Sequence, residues 1–166
     1  MIILSMDLSL NGAGLAVLEV VGDKVRPLAT ELIDNKKVKG TTKKLFNIAS
    51  RIDTLFSAYK VDYVCREKGF HRFAGTTQKL FKVVGVSDLI AYKHGFHEDM
   101  DEVTPTTVKK AITGDGKADK ELVMGGIRGY LVEDCKDMEF ASDDVSDAIA
   151  VGITKLKELG FTLRSC

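Results

Sequence analysis

The chain has 166 residues, 45% of them hydrophobic and 29% charged, and its 24 basic and 24 acidic residues give a formal net charge of zero. This length predicts one domain, residues 1–166, with a core of its own. No apolar run approaches the ~18 residues that span a bilayer and no signal peptide opens the chain, so no membrane partner is expected. Three cysteines without a CxxC motif argue against a disulfide framework and favour a reducing, cytoplasmic location.

Three strands open the predicted fold, at residues 2–7, 13–21 and 25–33. The Asn11-Gly12 pair favours a hairpin between the first two. The second strand is apolar on both faces, which predicts a central position, whereas Pro27 favours an edge position for the third. Apolar residues then recur at helical spacing from Thr41 to about Tyr59, and residues 61–67 return to strand.

Helices dominate the second half of the predicted fold. They are expected at residues 77–92, 105–112, 118–131 and 143–159, with one short strand at 99–104. Strands and helices in this order, without a second core, predict an α/β fold. We expect a five-stranded mixed sheet flanked by helices on both faces.

Acidic residues stand at the ends of two predicted strands and at the start of the last helix. Asp7 closes the first strand, Glu67 closes the fourth, and Asp144 and Asp147 lie three apart in the segment DDVSDAIAVGI. Open α/β folds bind ligands at the carboxyl ends of their strands, and residues three apart on a helix face the same way. Four converging carboxylates would repel each other without a cation, and an all-oxygen set suits Mg²⁺ or Mn²⁺. The residues therefore predict a metal-dependent enzyme acting on phosphates.

Spacing alone leaves one of these ligands open. Asp143 and Asp147 are four apart, which is as compatible with one helix face as the pair Asp144 and Asp147. The alternative for the whole set is scattered surface acids, but the two acids that terminate apolar strands argue against it.

Basic residues form two clusters along the chain. Five lysines fall within nine residues, namely Lys36, Lys37, Lys39, Lys43 and Lys44, and four within twelve, namely Lys109, Lys110, Lys117 and Lys120. Such clusters suit phosphate binding, although a solvated loop and helix start explains the first equally well.

Four segments in order along nearly the whole chain resemble the RuvC Holliday-junction resolvases of the ribonuclease H / retroviral integrase superfamily. They are IILSMDLSLNGAGLAVLE, VDYVCREKGF, VTPTTVKKAITGDGKADKELV and DDVSDAIAVGI, of which the third is the most specific. The resemblance implies a ribonuclease H-like fold. It also implies a divalent-metal-dependent endonuclease that resolves Holliday junctions and other branched DNA by two-metal hydrolysis, leaving 5′-phosphate and 3′-hydroxyl ends.

The resemblance also implies roles for the acidic residues. Asp7, Glu67, Asp144 and Asp147 match the family's four metal ligands, and its D-x-x-D pattern favours Asp144 over Asp143. Two Mg²⁺ ions per active site follow, with Mn²⁺ able to substitute, and no small-molecule cofactor is implied.

DNA contacts are implied in the same way. Lys109 and Lys120 match two family lysines near the cleavage site and are candidate catalytic residues. Phe70 follows Glu67 by three residues, as does a family aromatic thought to wedge into the junction centre, although the intervening Lys68-Gly69 departs from the family. The further candidates for DNA binding are His71, Arg72, Lys110 and Lys117.

A two-fold homodimer would match the symmetry of a four-way junction. The chain stops soon after the last predicted helix, which suggests a compact, phage or otherwise divergent member. An actin-like or sugar-kinase ATPase begins similarly but needs a second domain, for which there is no room. A non-catalytic junction-binding module and a ribonuclease H acting on RNA–DNA hybrids remain as alternatives.

Overall fold

The computed structural model describes residues 1–69 and 74–165. The strands are β1 (Ile2–Leu8), β2 (Gly12–Val21), β3 (Lys24–Asp34), β4 (Tyr63–Glu67) and β5 (Asp101–Val103). The helices are α1 (Thr41–Ala58), α2 (Ala74–Lys93), α3 (Pro105–Thr113), α4 (Lys120–Arg128) and α5 (Asp143–Glu158), with a 3₁₀ turn at Glu133–Cys135.

The five strands form one mixed sheet in the order β3-β2-β1-β4-β5. β2 pairs antiparallel with β1 and β3, whereas β4 runs parallel to β1 and β5. The middle strand is therefore β1, and β2 is interior but not central, which already explains its two apolar faces. β3 is an edge strand, as Pro27 predicts, and its register against β2 shifts beside Val17 and Leu18.

Hydrophobic residues fill both faces of the sheet, so the predicted fold class is confirmed. On one face, α3, α4 and α5 pack on strand residues such as Ile3 and Leu18. On the other, α1 and α2 cover residues such as Leu4 and Met6. Consecutive β1 residues thus alternate between two cores, as the period of a strand requires.

The predicted hairpin between β1 and β2 is confirmed. Its turn is not the type I′ that an Asn-Gly pair favours, because among the described residues only glycines other than Gly12 have a positive φ. One local prediction is wrong in its bounds. α4 is shorter than predicted because it begins after the capping residue Asp119, whose side chain accepts a hydrogen bond from the Leu122 amide at 2.9 Å. It ends at Arg128, and Leu131 instead pairs with Val25.

No helix in the described part of the chain is long and apolar enough to cross a membrane. β1, β4 and β5 all end at the same side of the sheet, where β2 and α5 begin. We call this side the carboxyl edge. It is where the fold places the candidate site.

Candidate active site

Asp7 lies in the middle strand, next to the end of β1, and is the most perturbed of the four predicted ligands. Burial, followed by the charges of Glu67, Asp147 and Asp144, raises the pKa of its carboxyl to about 8, with the charge of Lys120 opposing the shift. These interactions show that the fold brings carboxylates from β1, β4 and α5 together at the carboxyl edge.

Glu67 and Asp147 share the same electrostatic environment. Burial, followed by the charge of Asp147, raises the pKa of Glu67 to about 7, although Lys120 and Lys109 act against the shift. The pKa of Asp147 is also raised, chiefly by burial, despite the opposing charge of Lys120. Burial and the neighbouring carboxylates together therefore outweigh the effect of the two lysines on these pKa values.

Small residues set the position of α5, the helix that carries Asp144 and Asp147. A Cβ on Gly14 would lie 1.8 Å from the Asp144 carbonyl oxygen, and one on Gly12 would lie 3.0 Å from Asp144 Oδ2. Only a residue without a side chain allows the first turn of α5 to approach β2 this closely. Because Gly14 is the β2 partner of Asp7, the close approach brings Asp144 towards Asp7.

The same close packing continues along α5. A Cβ on Gly152 would lie 2.6 Å from Ser5 Oγ, and that hydroxyl donates to the Ala148 carbonyl at 2.7 Å. Sequence reasoning missed this role, because it used Gly12 only as part of the Asn-Gly hairpin signal and assigned no role to Gly14. Their spacing of two, which puts both on one strand face, is the signal that could have revealed it.

Lys120 lies beside the acids from the first residue of α4. Its Nζ is 3.4 Å from Asp143 Oδ2 and 3.7 Å from Asp147 Oδ2. Desolvation lowers the pKa of Lys120, but the charges of Asp147, Asp143 and Asp144 outweigh it, so the net pKa is raised and the ammonium stays charged.

A cavity of about 140 Å³ joins both candidate catalytic lysines to two of the acids. Its lining residues are Glu67, Pro105, Val108, Lys109, Lys120, Val123 and Asp147. Larger hollows of about 360 Å³ lie near Phe96 and Met100, at the amino end of β4, and contain none of the four acids.

The other predicted DNA-binding residues either lie outside this cavity or are not described by the structure. Lys110 and Lys117 are exposed and do not line the cavity. Phe70, His71 and Arg72 lie outside the described residues.

The four acids fit a hard divalent cation by their chemistry. All offer carboxylate oxygens, and burial together with the neighbouring carboxylates raises the pKa values of Asp7, Glu67 and Asp147, so a cation at the site would favour their ionised forms. Within residues 1–69 and 74–165, no three acidic, histidine or cysteine side chains form a ready-made metal site. Coordination would therefore draw the carboxylates closer together.

Known proteins share this architecture and sequence. Residues 3–155 match the family model of crossover junction endodeoxyribonuclease RuvC. The RuvC of Prochlorococcus marinus subsp. pastoris is 31% identical over 162 residues, which cover 96% of this chain and 98% of the relative. The RuvC of Alkaliphilus metalliredigens is 32% identical over 156 residues, covering 92% of this chain and 91% of the relative.

Solved structures agree at the level of the fold. T. thermophilus RuvC in complex with Holliday junction substrate superposes with a TM-score of 0.84 at 23% identity, over 100% of this chain and 99% of that one. The fowlpox virus Holliday junction resolvase superposes with a TM-score of 0.60 at 17% identity, over 96% of this chain and 99% of that one. With a ribonuclease H-like fold, an acidic carboxyl edge and a family match over most of its length, this chain belongs to the RuvC family of crossover junction endodeoxyribonucleases.

Proposed function

We propose that this chain resolves four-way DNA junctions, and other branched DNA, by divalent-metal-dependent hydrolysis of a phosphodiester. The observation that carries the proposal is the cluster of Asp7, Glu67, Asp144 and Asp147 at the carboxyl edge, where burial and the neighbouring carboxylates raise the pKa values of Asp7, Glu67 and Asp147. Family membership supports the junction as substrate.

Two Mg²⁺ ions per site, replaceable by Mn²⁺, are the cofactors we propose for these four carboxylates. When bound, they would neutralise charge on the phosphate and lower the pKa of an attacking water. Asp7, on the middle strand between Glu67 and α5, would be the central ligand of this set. Its high pKa without metal means that metal binding would displace a proton near neutral pH.

Lys109 and Lys120 would act on the phosphate directly. Both line the cavity that Glu67 and Asp147 share, so an ammonium there can hold a non-bridging oxygen or stabilise the leaving 3′-oxygen. In-line attack by water would leave a 5′-phosphate and a 3′-hydroxyl. Lys110 and Lys117, both exposed, would contact the DNA backbone further away.

Phe70 is the proposed wedge at the branch point. Stacking on an unpaired base is worth ~1–3 kcal/mol, so Phe70→Ala should slow cleavage of an intact junction about tenfold or more. A pre-nicked junction, which is already flexible, should be affected much less. His71 and Arg72 would donate to neighbouring phosphates.

A two-fold homodimer fits the symmetry of the substrate. α2 offers an apolar face that such a dimer would bury, because Phe81, Leu89 and Tyr92 lie on one side of it and are 65%, 68% and 60% exposed. The free thiols Cys65 and Cys135 are compatible with the reducing cytoplasm that we propose as its location.

A substrate panel tests the proposal. Purified protein is incubated with labelled four-way junction, fork, linear duplex and RNA–DNA hybrid, with Mg²⁺ or with EDTA. We expect Mg²⁺-dependent, paired nicks in the four-way junction and little cleavage of linear duplex. Preferred cleavage of the hybrid would favour a ribonuclease H, and binding without cleavage would favour a non-catalytic module.

A further inference from the structure

The lysines that follow β3 and begin α1 form a basic surface that has no role in the proposed mechanism. We call Lys36, Lys37, Lys39, Lys43 and Lys44 the basic strip. Four are exposed, Lys44 is half-buried, and the first turn of α1 contains no acidic residue that would neutralise them. The sequence could not distinguish a binding surface from a solvated loop here. The structure shows where the strip lies relative to the acidic cluster.

Hydrogen bonds fix the strip beside the active site. Lys44 Nζ donates to Asn11 Oδ1, and the Asn35 amide donates to the Asn11 carbonyl at 3.0 Å. Asn35 is fully buried, and its side-chain amide donates to the Lys44 carbonyl at 3.0 Å and the Leu10 carbonyl at 3.3 Å. The strip is therefore bound to the β1–β2 turn, which lies between Asp7 and Gly12.

Strand order then sets which side of the acids the strip occupies. Asp34, at the end of β3, pairs with Gly12, and Lys36 follows two residues later. β3 lies two strands from β1, which is ~10 Å at the usual strand spacing. Lys109 and Lys120 lie on the opposite side, beside Glu67 of β4. Positive charge therefore flanks the acidic cluster on both sides along the carboxyl edge.

We propose that the basic strip binds backbone phosphates of one duplex arm of the junction, on the β3 side of the scissile phosphate. The inference rests on the proposed function and extends it by giving the substrate a direction across the site. The sheet spans ~20 Å from β3 to β5, which corresponds to about six base-pair steps of duplex. Lysines suit this task because phosphate contacts position DNA without reading its sequence.

Electrostatics explains why such a strip is needed. The chain has no net charge, and its cleavage site concentrates carboxylates that repel DNA. Attraction must come from local positive surfaces on either side, because a protein binds the phosphate backbone by displacing condensed counterions. The strip is a basic surface on the β3 side of the acids, whereas Lys109, Lys110, Lys117 and Lys120 all come from α3, α4 and the turn between them.

A salt titration of junction binding tests the proposal. The strip variant Lys37→Gln/Lys39→Gln is compared with a control variant, Lys60→Gln/Lys93→Gln, which removes two exposed lysines near the opposite edge of the sheet. Both are made in an Asp7→Asn background, so that binding is measured without cleavage. With a slope of about −0.9 per phosphate contact, the strip variant should flatten the plot of log K against log salt by about 1.8. The control should leave the slope unchanged, and Lys37→Arg/Lys39→Arg should restore it.

Shortening one junction arm at a time adds a positional test. Protein with the intact strip should lose affinity when the contacted arm becomes too short to reach it, whereas the strip variant should be insensitive. Equal slopes for strip and control variants, or equal sensitivity to arm length with and without the strip lysines, would overturn the proposal. Failure of the proposed function has a different signature, namely no Mg²⁺-dependent cleavage by the unmodified chain on junctions with full-length arms.

Discussion

Arg66 and Glu67 are neighbours in β4 with opposite charges, and the fold surrounds them in opposite ways. Arg66 is 5% exposed, and its guanidinium donates to Glu102 Oε1 at 3.0 Å, to Ser87 Oγ at 3.1 Å and to Asp88. Glu67 points to the other face, where burial, followed by the charge of Asp147, raises its pKa to about 7. One buried charge is balanced by the protein and the other is not.

The difference separates a buried charge that the fold pairs with opposite charges from one that it leaves without a full counter-charge. The cost of removing Arg66 from water is offset by ion pairs with Asp88 of α2 and Glu102 of β5. The network therefore leaves no unbalanced charge that would attract a ligand. Desolvating Glu67, Asp7 and Asp147 together is offset only in part, by Lys120 and Lys109. Such an incompletely compensated cluster would stabilise a bound cation, and its location is therefore the candidate for the chemistry.

The largest effect is expected from Asp7→Asn. Loss of several kcal/mol of metal-assisted stabilisation should lower single-turnover cleavage of a junction in Mg²⁺ by about 10³-fold or more. Junction binding should stay intact or tighten, because a charge that repels phosphate is removed. Asp88→Asn, the same change at a partner of Arg66, is the matched control and should cleave within about threefold of the unmodified chain. Undiminished cleavage by Asp7→Asn would remove Asp7 from the metal site.

Gly14→Ala should have the next largest effect, although it touches no acid side chain. The added Cβ would meet the Asp144 carbonyl at 1.8 Å, so the start of α5 must move away from β2. A displacement of ~1 Å can cost about 10²-fold in rate. Cleavage should therefore fall by that order, with weaker Mg²⁺ affinity as the readout that a loss of stability alone would not give.

Gly125→Ala is the control for this change, because a Cβ on Gly125 meets no atom within 4 Å. Alanine there also favours helix α4. If Gly14→Ala kept its metal affinity and lost only melting temperature, the close approach would be a matter of packing and not of ligand placement.

Asp7 and Gly14 differ in how well the sequence predicts their roles. The sequence predicts that Asp7 and Glu67 lie at one edge of the sheet, because each is at the end of an apolar strand, and the structure brings them close enough for their charges to interact. The role of Gly14 depends on which helix crosses β2 and how closely, which no local pattern encodes. The basic strip is visible in the sequence, but its distance from Asp7 follows only from the order β3-β2-β1.

Arg66→Met tests whether the ion pairs of Arg66 with Asp88 and Glu102 stabilise the fold. It leaves Asp88 and Glu102 without their shared cation, which for a fully buried pair costs ~3–5 kcal/mol. Their side chains are 47% and 31% exposed, so we expect a smaller loss of unfolding free energy, about 2 kcal/mol, measured by urea denaturation. Adding Glu102→Gln should recover part of it. No loss in the single variant would show that the network contributes nothing to stability.

The raised pKa values of Asp7 and Glu67 predict that the stability of the fold depends on pH. A carboxyl whose folded pKa is raised holds its proton more tightly when folded, so it stabilises the fold at low pH and loses that contribution as pH rises through the folded pKa. For Asp7 the window runs from about 4 to about 8, and for Glu67 it ends near 7. In EDTA, the melting temperature should fall between pH 5 and 8.5.

The pKa of Asp7 depends on charged groups from three neighbouring elements. They are Glu67 from β4, Asp144 and Asp147 from α5, and the opposing Lys120 from α4. Asp7→Asn should flatten the pH dependence, and saturating Mg²⁺ should reduce it by supplying the missing charge. Identical pH profiles for Asp7→Asn and the unmodified chain would show that Asp7 is not strained when ionised.

The smallest effect is expected from Asp143→Asn, which separates the two candidate ligands at the start of α5. Asp143 is 58% exposed and its Oδ2 lies 3.4 Å from Lys120 Nζ, an exposed ion pair of small energetic value. Asp144 instead raises the pKa of Asp7 and faces Gly12 at the start of β2. Asp143→Asn should therefore cleave a junction within about threefold of the unmodified chain, whereas Asp144→Asn should lose most activity. Because both changes remove one charge from the same helix end, their difference isolates position from charge, and the reverse order of activities would move the ligand by one residue.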